Sequence, residues 1–341
     1  MVKRPTIADL AAAAGVSVAT VDRVLNRRLP VSDDTTSRVT AAAEAIGYHG
    51  AGLLKQRLVD APRRTFGFLL QKPDDPFYVA LGEGLTEATR SAPFIRGRAV
   101  VDFNGDIAPA VTAQRIRDMA PRVDALAVVA VDHPLVNDAV EWAATQGRPV
   151  VTLLTDLTAP SRAGSVSCDR RRSGRTAAWA ISRLARKPGD VGILIGSHRY
   201  LSQEISEISF RSYMREFAPA FRLLEPLIYL DDQRISYEAV VDMLSSNPDL
   251  VGIYAAGGGA EGLVRALRDE AAGDRIVAVC NELTPATRPA LLDGTIDLVL
   301  GTPIPTLAAK AVEVLERAVG EGVRDVAQVL LPADLLVSEN I

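Results

Sequence analysis

Apolar positions along the first fifty residues recur at helical spacing. Thr6 is placed to cap a helix with Asp9 three residues on, Ala and Leu follow, and Gly15 supplies a left-handed stop. Ser17 then caps a second helix, Val18 to Leu25. On it Val21, Val24 and Leu25 face inward, leaving Val18, Ala19, Asp22 and Arg23 outward. A third helix begins at Ser32 and stops at Gly47. Ile7, Leu10, Val16, Val21, Val24, Val39 and Ile46 are the expected core of this head. Two short helices across a tight glycine turn predict a helix-turn-helix.

From Phe66 onward the period changes. Strand-length apolar runs recur at Phe66–Leu70, Ala99–Phe103, Ala125–Val131, Pro149–Thr155, Val191–Gly196, Val251–Ala256, Ile276–Cys280 and Ile296–Gly301. Amphipathic stretches separate most of them: Pro76–Ala88, Ala108–Met119, His133–Gln146, Gly174–Leu184, Ile208–Glu216, Tyr237–Leu244, Ala260–Glu270 and Ile304–Val319. Continuous apolar strands between such helices predict parallel sheets covered on both faces, and the length left over suits two α/β lobes. The expected division is a head over 1–49, a linker over 50–64 and a body over 65–341. Within the body, lobe 1 is expected from 65–160 and 282–305, lobe 2 from 161–281 and 306–341.

Composition sharpens this picture in two ways. Residues 1–64 hold ten Lys or Arg against six acids, a net +4, and the remaining 28 bases and 36 acids give −8. A basic head on an acidic body points to a polyanionic partner for the head. Only two cysteines, Cys168 and Cys280, occur, too few for a disulfide framework or a thiolate zinc site, which suits a reducing cytoplasm. No secretory leader and no membrane span is expected.

The motifs at the N-terminus are specific. Thr6-Ile7, Asp9-Leu10-Ala11, Ala14-Gly15-Val16-Ser17, Thr20-Val21 and Arg23-Val24-Leu25-Asn26 resemble the signature of the lactose-repressor family of bacterial transcription regulators. Val31-Ser32, Thr35, Arg38-Val39, Ala42 and Ile46-Gly47-Tyr48 continue the match. The resemblance implies a three-helix DNA-binding head joined to a two-lobed effector domain like that of periplasmic sugar-binding proteins. It also implies a homodimer on operator DNA, with a repressor as the expected sign. His49, His133 and His198 lack ligand spacing and neither a Walker-type pair nor a G-x-S-x-G elbow occurs, so no metal, cofactor or enzymatic activity is expected. Carried over by position, Val18, Ala19 and Arg23 are base readers, with Arg23 able to take guanine O6 and N7 together. Thr6, Ser17, Thr20 and Asn26 are placed at the interface, and the last three would hold phosphates. Asp22 departs from the family's serine; it either orients Arg23 or accepts from a cytosine amine. In the linker, Gly50 and Ala51 replace the family's Pro-Asn, and Arg57 falls where a wedge leucine is expected, so Leu58 or Leu54 takes that role.

For a small carbohydrate or polyol effector the resemblance points to strand ends: Asp75, Phe77 and Tyr78; Asp132 and His133; Asp169; and Glu282. The family's arginine ahead of a Gly-Phe pair is missing, and Ser206 stands there. Two rival readings remain. Gly257, Gly259 and Gly262 match G-x-G-x-x-G with Glu282 some twenty residues on, which proposes an NAD-binding oxidoreductase. A sugar-transport binding protein shares the body, though not the head. The glycines are better explained as a tight strand-to-helix turn at the cleft edge.

Overall fold

The computed structural model describes residues 5–26, 31, 33–49, 61–93, 95–230, 232–320, 322–323 and 325–341. The head is three helices, α1 (Ile7–Ala14), α2 (Val18–Asn26) and α3 (Asp33–Ala45). Thr6 and Asp9 form a capping box on α1: the Asp9 N–H donates to Thr6 Oγ1 (3.3 Å) and the Thr6 N–H to Asp9 Oδ2 (2.8 Å). Gly15 ends α1 at φ +64°, as its position predicts. Arg38 on α3 donates to the carbonyls of Ala14 (2.7 Å) and Gly15 (3.2 Å), fixing the turn from outside. Leu10, Val21, Val39 and Ala43 are fully buried, with Val16, Val24 and Ile46 packed around them. Ile7, expected in this core, lies instead on the outer face of α1, 37 % exposed.

The body comprises two lobes. Lobe 1 opens with β1 (Arg63–Gln71), α4 (Pro76–Arg90), β2 (Arg96–Asn104), α5 (Pro109–Met119), β3 (Ala125–Val128), α6 (Pro134–Thr145), β4 (Val150–Leu153) and β5 (Gly164–Cys168). The chain then crosses to lobe 2 for α7 (Arg170–Leu184), β6 (Asp190–Ile195), α8 (Leu201–Phe217), β7 (Arg222–Leu223), β8 (Leu227–Ile228), α9 (Gln233–Ser246) and β9 (Leu250–Ala255). Lobe 2 continues with α10 (Ala260–Asp269), β10 (Val277–Asn281), α11 (Thr287–Leu292) and β11 (Leu298–Gly301). A second crossing returns to lobe 1 for α12 (Ile304–Gly320) and β12 (Ala327–Leu331), and a third adds β13 (Asp334–Leu336) to lobe 2.

The lobe 1 sheet runs β12-β5-β4-β3-β1-β2, parallel throughout. The lobe 2 sheet runs β13-β11-β10-β9-β6-β7, with β8 also on β6, and only β13 is antiparallel. Side chains alternate between faces as the pleat requires. Phe66, Phe68 and Leu70 pack against α4 and α12, whereas Leu69, Leu126 and Val128 pack against α5 and α6. In lobe 2, Val191, Ile193 and Ile195 meet α7 and α8, and Leu194, Ile253 and Ala278 meet α9 and α10.

Three segments lie in a different lobe from the one expected. Residues 282–301 lie in lobe 2, because β11 pairs with β10. Residues 304–331 lie in lobe 1, because α12 covers its sheet and β12 pairs with β5. Strand β5 itself, Gly-Ser-Val-Ser-Cys, pairs with β4 in lobe 1 although 161–168 was expected in lobe 2. All five residues are buried and the two serines share one face, so no apolar run marked it as a strand.

Helices α7 and α8 pack closely at Gly174, where a Cβ would stand 2.1 Å from the Ser206 carbonyl oxygen. Ser206 is wholly buried and donates to the Ser202 carbonyl (3.0 Å), so it seals this contact rather than facing the cleft. Gly174→Ala must push the helices apart, a cost of about 1–3 kcal/mol for over-packing. Urea denaturation of the full chain is expected to show that loss, with the m-value unchanged.

Candidate ligand cleft and nucleic-acid interface

The carboxyl ends of the strands in both sheets face one another across a cleft, where open parallel sheets bind ligands. Three residues that follow strands directly, Lys72 after β1, Leu154 after β4 and Glu282 after β10, have φ of +47°, +64° and +66° and line it. Such backbone in non-glycine residues costs of order 1–3 kcal/mol each, and its concentration at one cleft marks a functional surface.

Of the residues expected from sequence, Asp75, Phe77, Tyr78 and Glu282 line the cleft. Asp75 caps α4, accepting from the Phe77 N–H (2.9 Å), and this start sets the half-buried Phe77 and Tyr78 rings edge to face at 5.3 Å. Glu282 accepts from the Thr302 N–H (2.9 Å) and hydroxyl (2.7 Å). Burial pushes its carboxyl above the usual range, and Arg170 and Thr302 draw it part of the way back.

Asp132, His133 and Asp169 do not line the cleft; all three serve the backbone. Asp132 accepts from the Thr158 N–H (2.9 Å) and hydroxyl (3.0 Å) and from Asn137 Nδ2 (3.0 Å), bracing one loop. His133 caps α6 through the Leu135 N–H (3.2 Å), and Asp169 caps α7 through the Arg172 N–H (3.1 Å). Successive helix positions turn by about 100°, so Arg170, one place after the cap, enters the cleft instead.

Sequence reasoning missed several cleft residues: Arg170, Lys72, Tyr200, Gln203 and Asn281. Arg170 and Asn281 each follow or end a β-element, a position that carried a usable signal. The Gly257–Gly259 turn also lines the cleft, and Gly259 precedes α10 at φ +77°, the strand-to-helix turn that better explains these glycines. The lobes touch across the cleft. Tyr200 donates to Gln71 Oε1 (2.8 Å), the Ser202 N–H to Thr155 Oγ1 (3.3 Å), and the Asp132 N–H to the Arg199 carbonyl (3.0 Å). The cavity between the lobes is about 80 Å³. At roughly 10–15 Å³ for each water on that measure, it holds about half a dozen waters, the space of a small polar molecule.

The crossings are tied together behind this cleft. The Asp169 N–H donates to the Leu331 carbonyl (2.8 Å), and the Cys168 thiol points at Thr302 Oγ1 (3.8 Å). Both cysteines are buried free thiols; burial pushes that of Cys168 up, although Arg170 opposes the shift.

On the head, Ser17, Val18, Ala19 and Arg23 are exposed on one side of α2 while Val21 is fully buried on the other. The Thr20 N–H donates to Ser17 Oγ (3.1 Å), and the two hydroxyls lie 2.8 Å apart. Asp22 is half-buried. The Thr6 hydroxyl donates to Asp9 (2.7 Å), which gives it a structural duty beside any interface one. The side chain of Asn26, and Leu54, Arg57 and Leu58 of the linker, lie outside the described residues.

Comparison with known proteins agrees with this division. Residues 66–322 match the periplasmic binding protein domain, and residues 6–50 match the lacI family of bacterial regulatory proteins. The maltose regulon regulatory protein MalI of Escherichia coli K12 is 37 % identical over 107 residues, 30 % of this chain and 29 % of that protein. The ribose operon repressor of Bacillus subtilis 168 is 40 % identical over 79 residues, 23 % of this chain and 24 % of that protein. These matches therefore span under a third of either relative. Among solved structures, an ABC transporter solute binding protein from Burkholderia graminis C4D1M in complex with D-arabinose superposes with a TM-score of 0.75 at 18 % identity, covering 82 % of this chain and 97 % of that one. A glucose-galactose binding protein from Geobacillus stearothermophilus gives 0.74 at 17 % identity, covering 82 % and 99 %. The chain belongs to the periplasmic binding protein domain family, which its body matches, and its head matches the lacI family of bacterial regulatory proteins over residues 6–50.

Proposed function

We propose that this protein is a cytoplasmic, sequence-specific transcription regulator, a repressor, that binds operator DNA as a homodimer and is controlled by a small polyhydroxylated effector held between its lobes. The observation that carries this reading is the exposed face of α2, where Ser17, Val18, Ala19 and Arg23 stand clear of the head's core on a chain that also holds a two-lobed cleft.

The start of α2 enters the major groove in this reading. Arg23 bonds a guanine edge through both arms of its guanidinium, and Val18 and Ala19 meet thymine methyls. Ser17, Thr20 and Asn26 hold phosphates and fix register, and Asp22 steers Arg23 or takes a cytosine amine. Leu58 is assigned as the minor-groove wedge of the linker. Effector bound between the lobes favours the closed shape by its differential affinity for the two shapes, and operator affinity changes by the same coupling. Lobe 1 receives the linker at β1, so a change in lobe angle reaches the DNA-binding end directly.

Selection of bound duplexes from a randomised pool, followed by anisotropy titration, tests the assignment. Wild type is expected to recover a near-palindromic site and to discriminate against it when scrambled; equal affinity for both refutes the proposal. Arg23→Ala is expected to lose about 1–3 kcal/mol of discrimination at one base pair of each half-site. Tyr200→Phe removes the hydroxyl that reaches Gln71 across the cleft, about 0.5–1.5 kcal/mol for a neutral hydrogen bond. Small-angle scattering of that variant is expected to show a larger radius of gyration than wild type.

A further inference from the structure

The strongest unexplained feature of the cleft is a buried cation. The Arg170 side chain is 11 % exposed, and its Nε is buried without a hydrogen-bond partner. The nearest counter-charge, Glu282 Oε1, stands 3.7 Å from Nη2, longer than a hydrogen-bonded ion pair. Glu282 is also engaged elsewhere, with Oε2 held by the Thr302 N–H and Oε1 by its hydroxyl. A buried guanidinium with its Nε unfilled is costly unless something supplies the missing acceptor.

We infer that the ligand of this cleft is a polyhydroxy carboxylate, its carboxylate seated on the Arg170 guanidinium and a hydroxyl near it donated to Asn281. The inference rests on the cleft being the effector site and specifies what that effector is. Asn281 sits at the end of β10 in the same cleft. Its Nδ2 donates to the Ala256 carbonyl (2.6 Å), while its Oδ1 is buried without a partner. One empty donor and one empty acceptor call for a molecule that accepts at one end and donates beside it. The planar fork of an arginine matches a carboxylate in shape as well as charge.

The helix ends around the cleft add to this. Helices α4 and α7 start with aspartate caps, Asp75 and Asp169. Helix α10 starts at Gly259, which lines the cleft, without a side-chain cap, so its partial positive end faces the ligand space. The acids that line the cleft have partners within the protein: Asp75 the Phe77 N–H, Glu261 the Thr284 hydroxyl (3.3 Å), and Glu282 both groups of Thr302. Phe77 and Tyr78 supply an apolar surface for the carbon chain.

Calorimetric titration of the full-length protein with matched pairs, D-glucose and D-gluconate, D-galactose and D-galactonate, D-xylose and D-xylonate, compares like carbon chains with and without the charge. At least one acid is expected to bind tenfold or more tightly than its aldose. Arg170→Gln is expected to remove that preference, and Arg170→Lys to keep it at reduced affinity. Aldoses binding as well as their acids, glucose 6-phosphate binding better than gluconate, or no acid binding at all would overturn the inference. The wild-type comparison stands even where a variant folds poorly. Anisotropy on operator duplex separates the two proposals: an acid that binds and leaves DNA affinity unchanged sinks regulation by the cleft but not the ligand class. A neutral sugar that releases DNA does the reverse.

Discussion

The relation between the two lobes turns on a polar knot where the chain passes from one to the other. Arg170 lies at the first crossing, Thr302 at the second, and Glu282, at the end of β10, faces both. Cys168 and the Asp169 N–H extend the contact to Thr302 and to Leu331 at the third crossing. A group at this point senses the ligand space and the joint at once. Arg170 and Glu282 both stand in lobe 2, so a change in lobe angle bears on the contacts that span the crossings, Cys168 to Thr302 and the Asp169 N–H to the Leu331 carbonyl.

The two ends of the molecule follow different rules of construction. The head is small, and its core is completed by local devices: a capping box at Thr6 and Asp9, a left-handed glycine and an arginine clamp on the turn. The body relies on large sheets buried on both faces, and its strained residues concentrate at strand ends facing the cleft. Strain is tolerated there because the surrounding sheets hold those positions firmly.

Much of this was legible in the sequence, for reasons that can be named. The head was readable because capping residues, a glycine stop and inward Val21 all obey local rules. The eight apolar strands were readable because parallel strands covered on both faces leave continuous hydrophobic runs. Strand β5 was not, since Ser165 and Ser167 are buried as polar residues. Lobe membership of 282–331 was not either, because periodicity tells that a strand exists and is silent on which sheet it joins. At the site, Phe77 and Glu282 were found by position after a strand, but Asp169 was preferred over Arg170. An acid before a helix reads equally as ligand contact and as cap, and here the cap takes it. Arg170 was hidden within a run of three arginines, whose members differ only in which side of the helix start they occupy.

The threading of the body has a consequence for its folding. Lobe 1 is assembled from residues 63–168 together with 304–331, and lobe 2 from 170–301 together with 334–336. Neither is a contiguous stretch of chain, so no single cut releases an intact half. During synthesis lobe 1 waits for α12 and β12 until lobe 2 has been made, and the final strand of lobe 2 arrives last of all. The two halves are thereby bound into one cooperative unit of assembly, and gene duplication or fragment exchange must carry both together.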